Sequence, residues 1–295
     1  MRATIHLVTA ADALGLRPAM QPVLARTFAS GSPYGRALAG LDLTEVLETA
    51  RTHLDERPRS RAELRELLSA RWPGYDANSL AQAVTYLEPV VQVPPRGVWG
   101  EALQAVWARL ETFLDRPLGA GAAVEEVVLR YLAAYGPATV RDVQAWCGLT
   151  RLREVVEPLR PRLRTFRDEH GRELVDLPDA PRPEPDTPAP VRYLPEYDNV
   201  LLGHADRGRF LPDRPFGPPS TMDGYYGHVL VDGILRAAWQ ARRDHGAATL
   251  AVEPFEALST VDADAVEAEG ARLLAFSAAD ADPDRRSVRV GAPRT

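Results

Sequence analysis

The sequence predicts an α+β protein in which tandem winged helix-turn-helix units are followed by a small, mostly antiparallel α+β domain. Two observations lead to this fold class. A pattern of helical segments occurs twice within the first 180 residues, and the pattern changes to short alternating strands after a proline-rich linker at 181–190. A chain of 295 residues is long enough for two or three such domains.

Two stretches carry the repeat, "RPRSRAELRELLSARW" and "YGPATVRDVQAWCGL". Each places a hydroxyl residue, Ser60 or Thr139, where it can cap the helix that follows. The apolar positions of these helices coincide at an offset of 79, and those of the next helix at an offset of 72. The matched pairs are Leu64 with Val143, Leu67 with Trp146, Leu68 with Cys147, Leu80 with Leu152, Val84 with Val156 and Leu87 with Leu159. This spacing gives one buried stripe per helix. A further helix, capped by Asp42, precedes the first copy.

A strand and a glycine turn follow each pair of helices, in "VVQVPPRGVWG" and "LRTFRDEHGRELVDL". Helix, short helix, helix and β-hairpin is the order of a winged helix. Units at 41–118 and 119–180 are therefore predicted, and two unrelated helical hairpins are the alternative. On the first hairpin, Arg96 is expected at the tip, near a phosphate or a minor groove or simply in solvent. Trp99 is expected to anchor the hairpin to its core.

The segments outside the repeat have simpler patterns. Residues 1–10 are predicted to form a strand with Thr4 and His6 on one face, where they line a pocket or form an ordinary half-buried pair. A helix interrupted near Pro18 and Pro22 is expected next. The C-terminal domain at 191–295 is predicted to contain three strands joined by glycine turns, a helix and a closing strand.

The composition excludes several classes of protein. A single cysteine, Cys147, cannot form an intramolecular disulfide and suits a reducing cytoplasm. With six scattered histidines, the chain has no spacing typical of a zinc site, so we expect no metal and no cofactor. No apolar run approaches about 18 residues, and no membrane span is expected.

Charge is the property that bears most directly on nucleic acid. The net charge of −6 does not indicate DNA binding, so any DNA contact needs a local basic patch. Residues 150–167 provide one with a net charge of +4, since two glutamates accompany six arginines: Arg151, Arg153, Arg160, Arg162, Arg164 and Arg167. Double-stranded DNA is the predicted partner, and a solvated helix face is the alternative. The corresponding helix of the first copy has no basic residue and is expected to pack against another domain.

A second candidate site lies in "LPEYDNVLLGHADRGRF". Asp198, His204 and Arg207 are close together in this stretch, and a carboxylate beside a histidine can carry out acid–base chemistry. The alternative for Asp198 is an ordinary junction between a turn and a strand.

Taken together, five stretches resemble the bacterial winged-helix DNA-binding-domain family, which is common in actinobacteria: "MRATIHLVTAADALGLRP", "VVQVPPRGVWG", "YGPATVRDVQAWCGLTRLR", "LPEYDNVLLGHADRGRF" and "VDGILRAAWQ". That family includes DNA glycosylases of the azinomycin-resistance type, which excise alkylated or crosslinked bases. The resemblance implies a C-shaped array of winged helices around a basic channel, in which residues 1–40 are the remnant of a first unit.

The resemblance also implies where catalytic residues belong. Glycosylase members carry a Gln-x-Gln or Gln-x-Asp pair upstream of the strand that "MRATIHLV" resembles, and the pair is thought to position the attacking water. The sequence printed here starts at that strand, so the pair is expected to be absent and the catalytic residues are unassigned. Gln92 lies in the wing of a later unit and does not take over this role.

Three functions follow, in order of preference. The first is a DNA-binding protein of tandem winged helices in DNA repair or protection. The second is a DNA glycosylase that hydrolyses the N-glycosidic bond of alkylated or crosslinked bases. The third and weakest is a transcription regulator.

Overall fold

The computed structural model of the protein describes residues 4–101, 103–119, 121, 123–211, 222 and 224–293. The chain divides into two compact units, Met1–Pro178 and Asp179–Thr295. Within the described residues, no helix is both long and apolar enough to cross a membrane.

Unit one begins with an extended segment and a long helix. Residues 4–9 are exposed and belong to no strand, so the predicted strand is wrong there, and residues 1–3 lie outside the described part of the chain. Helix α1 spans Ala10–Arg26 and contains both Pro18 and Pro22, so the predicted interruption is also wrong. A π-helical turn at Thr27–Gly31 and the short helix α2 at Pro33–Ala37 follow.

Contacts with a later helix hold α1 in place despite its two prolines. Arg17 donates hydrogen bonds to the carbonyls of Tyr86, Leu87 and Glu88 at 3.2 Å each. The Gln21 amide donates to the Leu87 carbonyl at 3.1 Å. These bonds satisfy carbonyls at the end of a neighbouring helix, and they offset the hydrogen bonds that prolines remove from α1.

The first repeat has seven elements: α3 (Leu43–Glu56), β1 (Arg59–Ser60), α4 (Arg61–Arg71), α5 (Ala77–Leu87), β2 (Val90–Gln92), β3 (Val106–Arg109) and α6 (Leu110–Leu114). The three strands form an antiparallel sheet with β3 in the centre. The predicted caps are confirmed, since Asp42 accepts from the Thr44 amide and Ser60 forms a capping box with Glu63. The predicted stripes are buried or half-buried, with Leu64, Leu68, Leu80 and Val84 fully buried.

Helix α5 is enclosed on more than one side. Its residues 79–84 are all buried, because α1 and α2 pack against it in addition to α3 and α4. Helices α1 and α2 belong to the same compact unit as α5, so the packing of α5 against another domain stays a prediction.

The hairpin of the first repeat is longer than predicted, since β3 starts at Val106 and residues 93–105 form the connection. The prediction that Trp99 anchors this hairpin is wrong, because its side chain is 72% exposed. Trp107 on β3 takes the core position instead, with the Arg61 guanidinium 5.5 Å from its ring centroid.

The second repeat has five elements in the same order: α7 (Val124–Tyr135), α8 (Val140–Cys147), α9 (Leu152–Leu159), β4 (Arg164–Arg167) and β5 (Glu173–Asp176). Ala138 forms a β-bridge with Val175 just before α8, as β1 pairs with β3 just before α4. The Thr139 cap is confirmed, and it forms a capping box with Asp142. The order helix, bridge, helix, helix and antiparallel hairpin therefore occurs twice.

Unit two is a five-stranded sheet covered on one face by a helix. Its strands are β6 (Arg192–Leu194), β7 (Gly227–Val231), β8 (Ile234–Asp244), β9 (Ala247–Pro254) and β10 (Arg286–Val290), ordered β10-β9-β8-β7-β6. All pairs are antiparallel except β10 with β9. The predicted three strands, helix and closing strand are confirmed; α11 spans Thr260–Ser277 and packs Val266 and Leu274 on the sheet. Strand β6 and the short helix α10 (Asn199–Leu202) were not predicted.

Candidate nucleic-acid interface

Helix α9 places one apolar stripe in the core of the second repeat and leaves its other face in water. Leu152, Val156 and Leu159 recur at the spacing of a single helix face, and all three are buried. Residues 151, 153, 154, 157 and 158 are exposed. The helix therefore presents a polar surface of fixed orientation.

The start of α9 is capped from the preceding helix. Arg151 occupies the N-cap position with a left-handed φ of 60°, and its own side chain makes no capping bond. The Oε1 atom of Gln144 on α8 accepts a hydrogen bond from the Leu152 amide at 3.1 Å instead. Gln144 thus ties the end of α8 to the beginning of α9, and so fixes the direction in which Arg151 and Arg153 leave the surface.

Of the six predicted arginines, Arg160 is the one with the strongest ion pairs. Its Nε atom lies 2.6 Å from Glu157, and its Nη2 atom lies 2.7 Å from Glu173. The hydrogen bonds to Glu157 and then Glu173 raise the pKa of Arg160, and hydrogen bonds from Arg160 lower the pKa of both glutamates. A guanidinium held by two carboxylates is poorly placed to bind a phosphate as well, so the effective basic patch is smaller than the predicted one.

The remaining arginines of this stretch are exposed. Arg162 is the last residue of the 3₁₀ turn that follows α9, and the Arg164 guanidinium lies 5.0 Å from the ring centroid of Phe166 on the same strand. Arg167 donates to the Gly171 carbonyl across the second hairpin at 2.9 Å. Arg151, Arg153, Arg162 and Arg164 are consequently the cations that this region offers to a polyanion.

Arg96 belongs to the other repeat. It lies in the loop between β2 and β3, and its guanidinium donates to the Leu103 carbonyl at 3.4 Å. The cation is exposed, as expected for the tip of a hairpin.

The residues predicted to line a pocket are divided between the two units. In unit one, Thr4 and His6 are exposed, and the Thr4 hydroxyl lies 2.8 Å from His6 Nε2. In unit two, the Asp198 carboxylate accepts from the Val200 amide at 2.8 Å and caps α10, where a strand had been the alternative. His204 is buried and Arg207 is exposed. The roles predicted for these five residues therefore stay predictions.

Sequence reasoning missed two sets of aromatic residues at the surface. Trp99 and its apolar neighbours are exposed on the first hairpin, where glycines on both sides of "VW" were the available signal. Tyr197 and Tyr225 in unit two are also exposed, with ring centroids 6.4 Å apart. No sequence signal pairs these tyrosines, because they are distant in the chain.

Groups of three or more side chains suited to hold a metal ion do not occur within the described residues. The local chemistry of the α9 region is that of arginines on a rigid helix and strand. Guanidinium groups bind phosphate oxygens in a bidentate manner, which suits a nucleic-acid backbone.

Comparisons with known proteins agree with this chemistry. The family model described as "DNA glycosylase AlkZ-like" matches residues 1–276. Among solved structures, the DNA glycosylase AlkZ of Streptomyces sahachiroi is similar in fold, with a TM-score of 0.71 and 22% sequence identity; the alignment covers 99% of this chain and 80% of that one. None of the curated protein sequences matches the chain significantly.

Proposed function

The chain belongs to the AlkZ-like DNA glycosylase family, and we propose from this premise that it binds duplex DNA and excises modified bases in DNA repair. The family match over residues 1–276 is the single observation that carries the proposal. It favours base excision, the second of the three predicted functions, over a transcription regulator. We also propose that the protein acts on bacterial DNA in the cytoplasm.

We interpret the two repeats of unit one as tandem winged helices. The support is that each contains the winged-helix order, with a bridge or short strand before the second helix and an antiparallel hairpin after the third. The proposed boundaries are 41–118 and 119–180, preceded by the remnant at 1–40 and followed by the linker at 181–190 and the domain at 191–295.

The exposed face of α9 is the proposed contact with the DNA backbone. In a winged helix the third helix is the one presented to DNA, and α9 holds that position in the second repeat. Arg151 and Arg153 lie at its first turn, where the helix dipole also favours an anion. Arg162 and Arg164 extend the cationic surface beyond the helix end, while Arg160 is paired with Glu173 on the hairpin.

The proposed reaction is hydrolysis of the bond between C1′ of the sugar and the nitrogen of a modified base. The water oxygen forms a bond to C1′ and releases one proton to solvent, while the C1′–N bond breaks and the cationic alkylated base leaves with the bonding electron pair as a neutral base. The base must leave the stack before this step, which costs least for a damaged base. Alkylation at a purine ring nitrogen makes the base cationic and a better leaving group, which fits the class of substrate.

Base release from alkylated duplex DNA tests the activity. The purified protein of 295 residues is incubated with duplex containing N-alkylated purines, and free base is measured by chromatography. We expect release above a buffer control and a matching number of alkali-labile abasic sites. If the protein binds the duplex but releases no base, the proposed base excision is contradicted and the proposed DNA binding is retained.

An Asp198→Asn variant, measured beside a His204→Gln variant, tests the candidate residues of unit two. Loss of base release at unchanged DNA affinity in either variant would assign a chemical role. Because the Asp198 carboxylate caps α10, unfolding in urea must be measured in parallel, so that a loss of activity is not confused with a loss of structure.

A further inference from the structure

The loop between β2 and β3 exposes three large apolar side chains. Val98, Trp99 and Leu103 are 49%, 72% and 51% exposed. The chain has five tryptophans, all among the described residues, and the other four are buried or half-buried. Single apolar side chains are common at protein surfaces, but three together at the tip of one hairpin form an exposed apolar patch, and such patches often mark interaction sites.

Two consecutive turns fix the backbone of this loop. The Val98 amide donates to the Pro95 carbonyl at 3.0 Å, and the Glu101 amide donates to the Val98 carbonyl at 3.1 Å. Gly97 and Gly100, on either side of Val98 and Trp99, have φ values of +85° and +81°. This left-handed geometry is readily accessible only to glycine, so the "GVWG" stretch is built to present the two side chains between the glycines.

A cation accompanies the apolar patch. The Arg96 guanidinium donates to the Leu103 carbonyl across the loop at 3.4 Å, so it lies beside the patch. Glu101 balances its charge, and the tip as a whole is neutral. The patch therefore combines apolar side chains, one arginine and no net charge.

We propose that the tip of this hairpin inserts into the base stack of duplex DNA, with Trp99 stacking on a base. The inference rests on the proposed DNA-binding function. Apolar side chains that wedge between base steps, accompanied by an arginine, are the means by which minor-groove proteins unstack and kink a duplex. An indole ring can also stack on any base whatever its sequence, since every base has a π-face. For a protein that extrudes a damaged base, such a wedge supplies the local unstacking that extrusion requires.

DNA contacts made by the hairpin tip and DNA contacts made by helix α9 should differ in how their strength depends on salt concentration. Contacts of Arg151 and Arg153 with phosphates release counterions and weaken as salt rises, whereas stacking of Trp99 releases none. Replacement of Trp99 should therefore lower affinity by a similar factor at every salt concentration. This difference separates failure of the wedge from failure of DNA binding.

Acrylamide quenching of tryptophan fluorescence tests the proposal. Trp99 is the one largely exposed tryptophan among the five, so we expect it to supply most of the quenchable emission of the free protein and a Trp99→Phe variant to lack that emission. We expect saturating duplex to reduce quenching of the wild type to the level of Trp99→Phe, and to leave the variant unchanged. We also expect Trp99→Ala to bind duplex roughly tenfold more weakly with an unaltered salt slope, and Val98→Ala to lose less.

Three results would overturn the proposal. The first is salt-dependent binding in which Trp99 stays as quenchable as in the free protein, which would reject the wedge and leave the proposed DNA binding intact. The second is no binding to duplex at all, which would reject both. The third is that, without DNA, Trp99 becomes less accessible to acrylamide as the protein concentration rises. This result would make the patch a contact between copies of the chain. Urea unfolding of each variant checks that the fold is retained.

Discussion

The two repeats of unit one have the same order of elements but differ in what surrounds their third helices, α5 and α9. In the first repeat α5 is enclosed by α1 and α2, and residues 79–84 are buried. In the second repeat α9 buries one stripe and exposes Arg151 and Arg153. The same order of elements therefore gives an enclosed helix in one repeat and a helix with an exposed basic face in the other. The neighbours of that helix decide whether it becomes core or surface.

The residue that ends each of these helices shows the difference most clearly. Glu88 is the C-cap of α5 and Arg160 is the C-cap of α9, at the repeat offset of 72. The Glu88 side chain is 2% exposed and binds Arg51 through two hydrogen bonds of 2.9 and 2.7 Å. Arg160 is bound by two glutamates at the surface. Equivalent positions thus hold opposite charges, one buried and one in water.

Glu88→Ala should have the largest effect on stability. The substitution removes the carboxylate whose negative charge acts on the largely buried Arg17 guanidinium. Burial already lowers the pKa of Arg17 to about 10. Breaking a buried ion pair typically costs about 3–5 kcal/mol, and we expect about 3 because Arg51 still reaches solvent. Urea unfolding measures the loss. Arg160→Ala is the matched control and should unfold at nearly the wild-type midpoint; equal losses in both variants would contradict the comparison.

Gln144→Ala and Asp76→Ala should have similar, intermediate effects on stability, but only one of them should change DNA binding. Asp76 caps α5 by accepting from the Ser79 amide, as Gln144 caps α9 from the preceding helix. Each variant should lose about 1 kcal/mol of unfolding free energy. Only Gln144→Ala should weaken binding to duplex, because it loosens the turn that carries Arg151. A Gln144→Glu variant keeps an acceptor and should restore stability; weaker binding by Asp76→Ala would mean that α5 also contacts DNA.

The smallest expected effect concerns pH and the capping box of the first repeat. Hydrogen bonds from the Ser60 amide, from Arg57 and from the Ser60 hydroxyl lower the pKa of Glu63 from its usual 4.5 to about 2. A carboxyl whose folded pKa is depressed stabilises the fold above its unfolded pKa, and this stabilisation disappears as pH falls from about 4.5 through about 2. The difference in unfolding free energy between wild type and Glu63→Gln should therefore be constant near neutral pH. It should vanish as the pH falls from about 4.5 to about 2. A difference that persists at pH 2 would show that the charge of Glu63 is not its source.

Much of the fold could be predicted because local signals and tertiary packing agree. Ser60 and Thr139 cap helices whose apolar stripes face their own cores, and the sequence contains both signals. Helix α1 could not be predicted as one helix, because the carbonyls that Arg17 and Gln21 bind are about seventy residues away. Trp99 was misassigned for a similar reason, since Trp107 occupies the core position and only the register of β3 reveals it.

The candidate site was predicted only in part. Net charge identified the α9 region correctly as basic, but it counted Arg160, whose two carboxylate partners are set by the helix turn and by the β4–β5 hairpin. Charge counting along the sequence registers Glu157 but does not reveal that Glu173 lies across the hairpin. The capping role of Gln144 could not be predicted from the sequence either, because it depends on the angle between α8 and α9.

The salt dependence of duplex binding tests the central claim, that the second repeat and not the first presents its helix to DNA. Affinities of wild type, Arg151→Glu/Arg153→Glu and the control Arg272→Glu/Arg289→Glu are measured between low and moderate salt. The control carries the same change of net charge on exposed residues of unit two. We expect the slope of log affinity against log salt to lose roughly 0.9 for each phosphate contact removed, about 2 in all, in the α9 variant alone. Equal slopes in all three proteins would contradict the claim.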